Sequence, residues 1–225
     1  MLLAIDTATR NASVALYNAD GVQAEITWYS RENHTVELMP QIVHVMELAN
    51  TERKDLQAIG IAQGPGSFTG LRVGMSIAKG FAYALEIPIF GISTIDAIAS
   101  AHALQNLPIY AILAAGRGRY SVGHYGTENG AARLIGDYAL VNADGMIEVV
   151  TRDNTSRALF CGDLDAAISK RIQECLGTRA VLAPPALNAR RAGLVAELAW
   201  ERFIRGKPDD TASLAPVYAT DRTKR

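Results

Sequence analysis

The stretch Ile59–Gly80, IGIAQGPGSFTGLRVGMSIAKG, decides how the chain is read. The apolar run Ala58–Ala62, bounded by glycine, predicts a buried strand. Pro65 between two glycines stops that strand and sets a turn. From Thr69 onward Leu71, Met75, Ala78, Ala82 and Leu85 fall at helical spacing. The unit is therefore strand, glycine loop, helix, an arrangement that elsewhere cradles phosphate.

The phosphate templates do not fit it. A GxxxxGK[ST] loop needs Gly-Lys at a spacing that no glycine here supplies. The GxGxxG pattern finds Gly64 and Gly66, then meets Thr69 with Gly70 one place late, and no acid closes a following strand. What the helix does carry is a stripe of Gly70, Gly74, Ala78 and Ala82 at every fourth position. Small residues let a second helix, of this chain or of a partner, approach closely.

Working outward, Leu2–Ile5, Ala12–Tyr17 and Val22–Tyr29 read as three successive strands, the last two joined through Asn18-Ala19-Asp20-Gly21. A helix over Thr35–Ala49 follows, with Pro40 suggesting that its regular part starts a turn or less before that residue. After the opening unit come a strand Ile87–Ile92 and a helix from Ser93 to Leu104 with a capping arrangement Ser93-Thr94-Ile95-Asp96. Beyond the connector Asn106-Leu107-Pro108 the order restarts. It runs through strands at Ile109–Ala114, Tyr120–Tyr125 and Ala131–Leu140, a short helix after Asn142, a strand Ala158–Cys161 and a helix Asp163–Cys175. A brief run Ala180–Leu182, a long helix Leu187–Arg205 and an irregular tail complete it. Two meander-then-helix units predict a duplicated α/β fold in two lobes, residues 1–105 and 106–225, with the last long helix free to pack back on the first.

Composition narrows the function. The chain has 225 residues, 49% of them hydrophobic, and a net charge of −1 with the signs mixed, which gives no general pull toward nucleic acid or anionic lipid. No 18-residue apolar span and no basic n-region precede or interrupt the fold, so the expectation is a cytoplasmic protein without a membrane segment. Cys161 and Cys175 both sit in apolar patterns and read as reduced core residues.

Catalytic equipment is sparse. Asp6, followed by Thr7, ends the first strand of the first lobe, whereas the matching end in the second lobe, Ala114-Ala115-Gly116, has no carboxylate. One acid without its counterpart is poor equipment for holding Mg²⁺ beside a phosphate. His34, His44, His102 and His124 form neither HExxH nor HxxxH, so no protein metal site is expected. No GxSxG elbow or CxxC pair stands out. Two basic clusters, Arg117 with Arg119 and Arg222 with Lys224 and Arg225, are of the kind that touch phosphate backbones or simply face water.

The helix Thr35–Ala49 points in another direction. Leu38, Ile42, Val45 and Ala49 make one apolar stripe; Val36, Met39, Val43 and Met46 make a second. One can face the lobe's own sheet, and the other is an adaptable contact surface. The expected interface joins His34, Val36, Leu38, Met39, Val43 and Met46 to Gly70, Arg72, Gly74, Ala78 and Ala82 of the glycine-rich helix. The competing expectation is a small ATPase or kinase that contacts nucleotide through Asp6, Thr7, Gly64, Gly66 and Thr69.

Three stretches carry a resemblance: LLAIDTATRNASVAL (2–16), ENHTVELMP (32–40) and GPGSFTGLRVGMSIAKG (64–80) resemble the signatures of the TsaB (YeaZ) family. Pro216-Val217-Tyr218 extends the likeness toward the end of the chain, and AAGRGRY at Ala114–Tyr120 departs from the Asp-Ala-Arg that relatives carry there. The resemblance implies an actin/Hsp70-like (ASKHA, ribonuclease H-like) fold with a meander βββαβα in each lobe. It also implies a subunit without catalysis or cofactor of its own. Its partners would be a TsaD-like threonylcarbamoyltransferase, which uses a metal-binding HxxxH, and a TsaE-like ATPase. In this chain Leu38 stands four residues after His34, where a second histidine would be needed. ATP or ADP and tRNA would then be met at the level of the complex, and the same patch would serve a homodimer when the partner is absent.

Overall fold

The computed structural model describes residues 1–31, 33–152 and 157–219. They form two compact units, Met1–Thr94 with Arg190–Tyr218, and Ile95–Ala189.

In the first unit β1 (Leu2–Asp6), β2 (Asn11–Asn18) and β3 (Gly21–Tyr29) form an antiparallel meander, followed by α1 (His34–Leu48), β4 (Ala58–Gly64), α2 (Phe68–Leu85) and β5 (Ile89–Ser93). The sheet order is β3-β2-β1-β4-β5, with β4 and β5 parallel to β1. Every residue of β1 is buried, because both faces of the sheet are covered. Leu3, Ile5, Val14, Ile59 and Ile61 pack under α1 and α2 with Leu38, Ile42, Val45 and Met75. The opposite face has small residues beside Leu2: a Cβ added to Gly60 would lie 2.9 Å from the Ala199 Cβ and 3.7 Å from that of Ala4. There the last helix, α6 (Ala192–Ile204), returns to lie on this sheet.

The second unit opens with α3 (Thr94–Ser100) and continues through β6 (Ile109–Ala114), β7 (Arg119–Glu128), β8 (Ala131–Leu134), β9 (Ala139–Asn142), α4 (Ala143–Arg152), β10 (Ala158–Gly162), α5 (Ala166–Leu176) and β11 (Ala180–Leu182). Its order β11-β10-β6-β7-β8, with β9 also on β7, repeats the first sheet's arrangement of a meander flanked by two parallel strands. Ile95, Ile98 and Ala99 of α3 pack with Ile109, Ala111 and Tyr125. The connector Asn106-Leu107-Pro108 therefore lies within the second unit.

Local differences from the sequence reading have physical causes. α1 begins at His34, six places before Pro40, so proline sits inside the helix. Pro40 is exposed and supplies no N–H to the helix. The run Ala131–Leu140 is two strands, parted at Gly136 with φ 74°. The helix expected over Leu187–Arg205 is shorter, since Ala189 and Arg191 have extended backbones and α6 starts after them. Cys161 is buried and in no disulfide, but Cys175 is exposed. On α5 the inward positions are Ile168, Ile172 and Leu176, which leaves Cys175 on the outer side. The basic residues Arg222, Lys224 and Arg225 lie outside the described residues.

Candidate partner-binding surface

The glycine-rich loop and the start of α2 are occupied by the chain itself. Ser67 caps α2, its hydroxyl accepting from the Gly70 N–H at 3.3 Å. The buried Thr7 hydroxyl donates to the Gly70 carbonyl at 2.8 Å. A Cβ on Gly70 would lie 2.1 Å from the Thr7 carbonyl oxygen, and one on Gly74 2.2 Å from Thr7 Oγ1. A Cβ on Gly66 would meet the Ala8 carbonyl oxygen at 2.4 Å, and one on Gly64 that of Val217 at 2.1 Å. Ala78 and Ala82 are buried in the core under α1. The small-residue stripe is thus filled by the β1–β2 turn and the unit's own core, and the docking groove expected at Gly70, Gly74, Ala78 and Ala82 is closed from within. Asp6 and Thr7 are likewise buried. The Asp6 carboxylate accepts from the Ala8 N–H at 2.9 Å, which shapes the turn. Thr69 is exposed on the first turn of α2.

Two helices frame what stays open. α1 is tied to the sheet at its first turn, where Trp28 Nε1 donates to Glu37 Oε2 at 3.0 Å. Hydrogen bonds from Ser30 and Trp28 hold the Glu37 carboxyl below the usual carboxylate range. His34, only 5% exposed, presses its ring on Gly70 and so joins α1 to α2. Burial lowers its pKa, against the pull of Glu37 and Asp6. Leu38, Ile42, Val45 and Met46 face inward. Val36, Met39 and Val43 face water at 69%, 40% and 51% exposure. Of the residues expected at an interface, these three and the exposed Arg72 are available at the surface; His34, Leu38 and Met46 are buried and support them.

Between α1 and the end of α2 lies a groove of ≈ 850 Å³ whose apolar lining is Met39, Ile42, Val43, Met46, Phe81 and Leu85. Its rim is charged, with Lys54 and Glu52 paired at 2.8 Å. Apolar floor and polar rim are the anatomy of a protein interface.

The second unit holds one residue the sequence reading missed. At the end of β6, where Ala114-Ala115-Gly116 carries no acid, the Ala114 N–H donates to Asp163 Oδ2 at 2.9 Å. Asp163 follows β10, which runs parallel to β6 with Gly162 opposite Ile112, so the carboxylate arrives from the neighbouring strand. The signal was the CGDLD run directly after a predicted strand, read only as a helix start. Nearby, Asp165 caps α5 by accepting from Ile168 N–H at 2.8 Å. Arg117, φ 53°, lies in a turn between Gly116 and Gly118 and is exposed. Among the described residues no cluster of metal-ligating side chains is found, and no helix is long and apolar enough to cross a membrane.

Comparison with known proteins identifies the family and the fold. Residues 21–223 match the family model described as TsaD, tRNA N6-adenosine threonylcarbamoyltransferase. The chain is 31% identical over 218 residues to the tRNA threonylcarbamoyladenosine biosynthesis protein TsaB of Bacillus subtilis, covering 96% of this chain and 93% of that one. Among solved structures it is similar to YeaZ from Pseudomonas aeruginosa, with a TM-score of 0.80, 25% identity, and 97% and 99% of the two chains covered. It also shares its fold with a ROK hexokinase from Thermus thermophilus, at a TM-score of 0.53 and 10% identity over 89% of this chain and 99% of that one. The duplicated actin/Hsp70-like fold is therefore confirmed, and the chain belongs to the family this model describes and, within it, to TsaB (YeaZ).

Proposed function

We propose that this chain is a non-catalytic subunit that binds a TsaD-like threonylcarbamoyltransferase and supports N6-threonylcarbamoylation of adenosine 37 in tRNA. The observation that carries the reading is the outer stripe of α1. Val36, Met39 and Val43 stay in water although the helix already buries a full apolar face. Full burial of such a side chain is worth roughly 1.5–3 kcal/mol. A helix face and groove of this kind suit an apolar helix laid alongside α1.

In this reading the partner provides the chemistry. It fits the burial of Asp6 and Thr7, whose oxygens are engaged within the turn they form and on α2. ATP or ADP and tRNA are then met by the assembled complex, which a TsaE-like ATPase joins in the cytoplasm, and a second copy of this chain can occupy the same surface when the partner is absent.

The test is co-purification with the TsaD-like subunit. Val36→Asp and Val43→Asp are expected to abolish it while leaving the melting temperature of the isolated chain unchanged. Leu104→Asp, at an 87% exposed position of the second unit, is expected to bind normally. Full retention of the complex by both α1 variants overturns the reading.

A further inference from the structure

Pro216-Val217-Tyr218 lies outside the lining of the α1 groove. It ends the C-terminal segment that runs across the first unit from Asp209. The Asp209 carboxylate accepts from the Gly91 N–H at 2.7 Å and from Arg202 Nη2 at 3.0 Å. Lys79 of α2 donates to the Ala212 carbonyl at 3.0 Å, and Leu214 is buried in the core under α2. Gln63 then holds the segment twice: its side-chain amide donates to the Ala215 carbonyl at 3.0 Å, and its own carbonyl accepts from the Val217 N–H at 2.8 Å. Gly64, at φ 114°, leaves the space in which the Val217 carbonyl passes. Each anchor narrows where Tyr218 can stand.

Tyr218 stands against the first turn of α2. Its hydroxyl accepts from Arg72 Nε at 3.0 Å, and its ring lies 5.2 Å from that of Phe68. The Arg72 guanidinium covers the Phe68 ring at 3.8 Å. Phe68 and Arg72 are four apart on one helix and so share a face. Yet Phe68 is 56% exposed and Arg72 is exposed as well. With Nε spent on Tyr218, the two terminal nitrogens of Arg72 have no hydrogen-bond partner among the described residues and form a planar fork suited to a carboxylate.

A long side chain held in one rotamer at the surface loses conformational freedom before any partner arrives, which reduces the loss on binding. Arg and Tyr are also the residue types that concentrate binding energy at interfaces. We infer that Tyr218 is a positioning residue: the C-terminal segment holds it so that it fixes Arg72 over Phe68 as a preformed anchor for a carboxylate of the partner subunit. This rests on the function proposed above.

The experiment is a double-mutant cycle on binding of the full-length chain to the TsaD-like subunit. Arg72→Ala is expected to weaken the complex about tenfold or more. Tyr218→Phe, which keeps the ring and removes the hydroxyl, is expected to weaken it about fivefold at an unchanged melting temperature. In the Arg72→Ala background Tyr218→Phe is expected to have no further effect, because its influence passes through Arg72. Wild-type binding by Tyr218→Phe overturns the inference and leaves the proposed function standing. Losses that multiply across the two sites also overturn it, as does a Tyr218→Phe loss that tracks a lowered melting temperature. No complex with the wild-type chain at all overturns the proposed function, and the inference with it.

Discussion

Gly74 and Gly80 lie on the same helix, and the same substitution at each is expected to act in opposite directions. Both are interior to α2, so alanine gains about 1 kcal/mol of helix propensity at either. At Gly80 nothing lies within 4 Å of an added Cβ, so Gly80→Ala stabilises by about that amount. At Gly74 the Cβ would stand 2.2 Å from Thr7 Oγ1, more than ~1 Å inside ordinary contact. Thr7 is fully buried and its hydroxyl is committed to the Gly70 carbonyl at 2.8 Å. It can withdraw only by giving up that bond, at about 1 kcal/mol, on top of an overpacking cost of roughly 1–3 kcal/mol. Against the propensity gain, Gly74→Ala destabilises by about 1–3 kcal/mol net. At about 2–4 °C per kcal/mol, thermal unfolding should show one variant above wild type and the other several degrees below. Adding Thr7→Ala to Gly74→Ala removes the clashing oxygen, leaving Ile61 Cδ1 at 3.2 Å as the nearest contact, and should recover part of the loss. If Gly74→Ala melts as high as Gly80→Ala, the account of how the glycine stripe is filled is wrong.

Acid should weaken the fold through two buried histidines. His34 and His102 both have pKa values lowered by burial, while the unfolded chain titrates near ~6.5. Their contribution is therefore complete above that pH and is lost as the pH falls from there toward the lower folded values, because the unfolded chain takes up protons that the folded one refuses. A urea midpoint that stays level or rises between pH 7.5 and 5.5 would contradict this. In the second unit, Asp96 Oδ1 accepts from the hydroxyls of Tyr125 at 2.6 Å and Tyr138 at 2.7 Å. Asp96→Ala should cost about 1–3 kcal/mol, seen as faster amide exchange in β6 and β7, with partner binding unaffected. Unchanged exchange there would show that the phenols find other acceptors.

The sequence was legible where the deciding signals were local. Asn129-Gly130 announces a hairpin, and both residues take positive φ in the turn between β7 and β8. The apolar run Ala58–Ala62 announced the buried strand β4, and the two α1 stripes announced one inward and one outward face. What escaped depended on residues distant in the chain. Thr7 fills the stripe of a helix that starts sixty residues later, and nothing in the spacing of Gly70 and Gly74 shows that the filler is a turn from the same unit. Asp163 serves the end of β6 only because β10 pairs beside it in parallel. The split of Ala131–Leu140 turned on the single positive φ of Gly136, which a hydrophobic pattern does not encode.

Small residues in the first unit mark places where the chain closes on itself, and this moves the functional argument onto large ones. Gly60 and Ala199 bring α6 onto one face of the sheet, while Gly70 and Gly74 admit Thr7 on the other. Once these approaches are made, the Gly70–Gly74 stripe of α2 is closed to a partner helix. Around the groove the exposed apolar residues are Val36, Met39 and Val43 on α1, and the half-buried Phe81 and Leu85 of α2 line it. Burying any of these is worth at most about 1.5–3 kcal/mol, reduced in proportion to the part already covered. Three or four of them together amount to several kcal/mol, one part of what an interface needs to offset the cost of association. The glycines thus serve the proposed partner surface indirectly. By seating α2 tightly on Thr7 and His34, they fix the spacing of the two helices between which that surface lies.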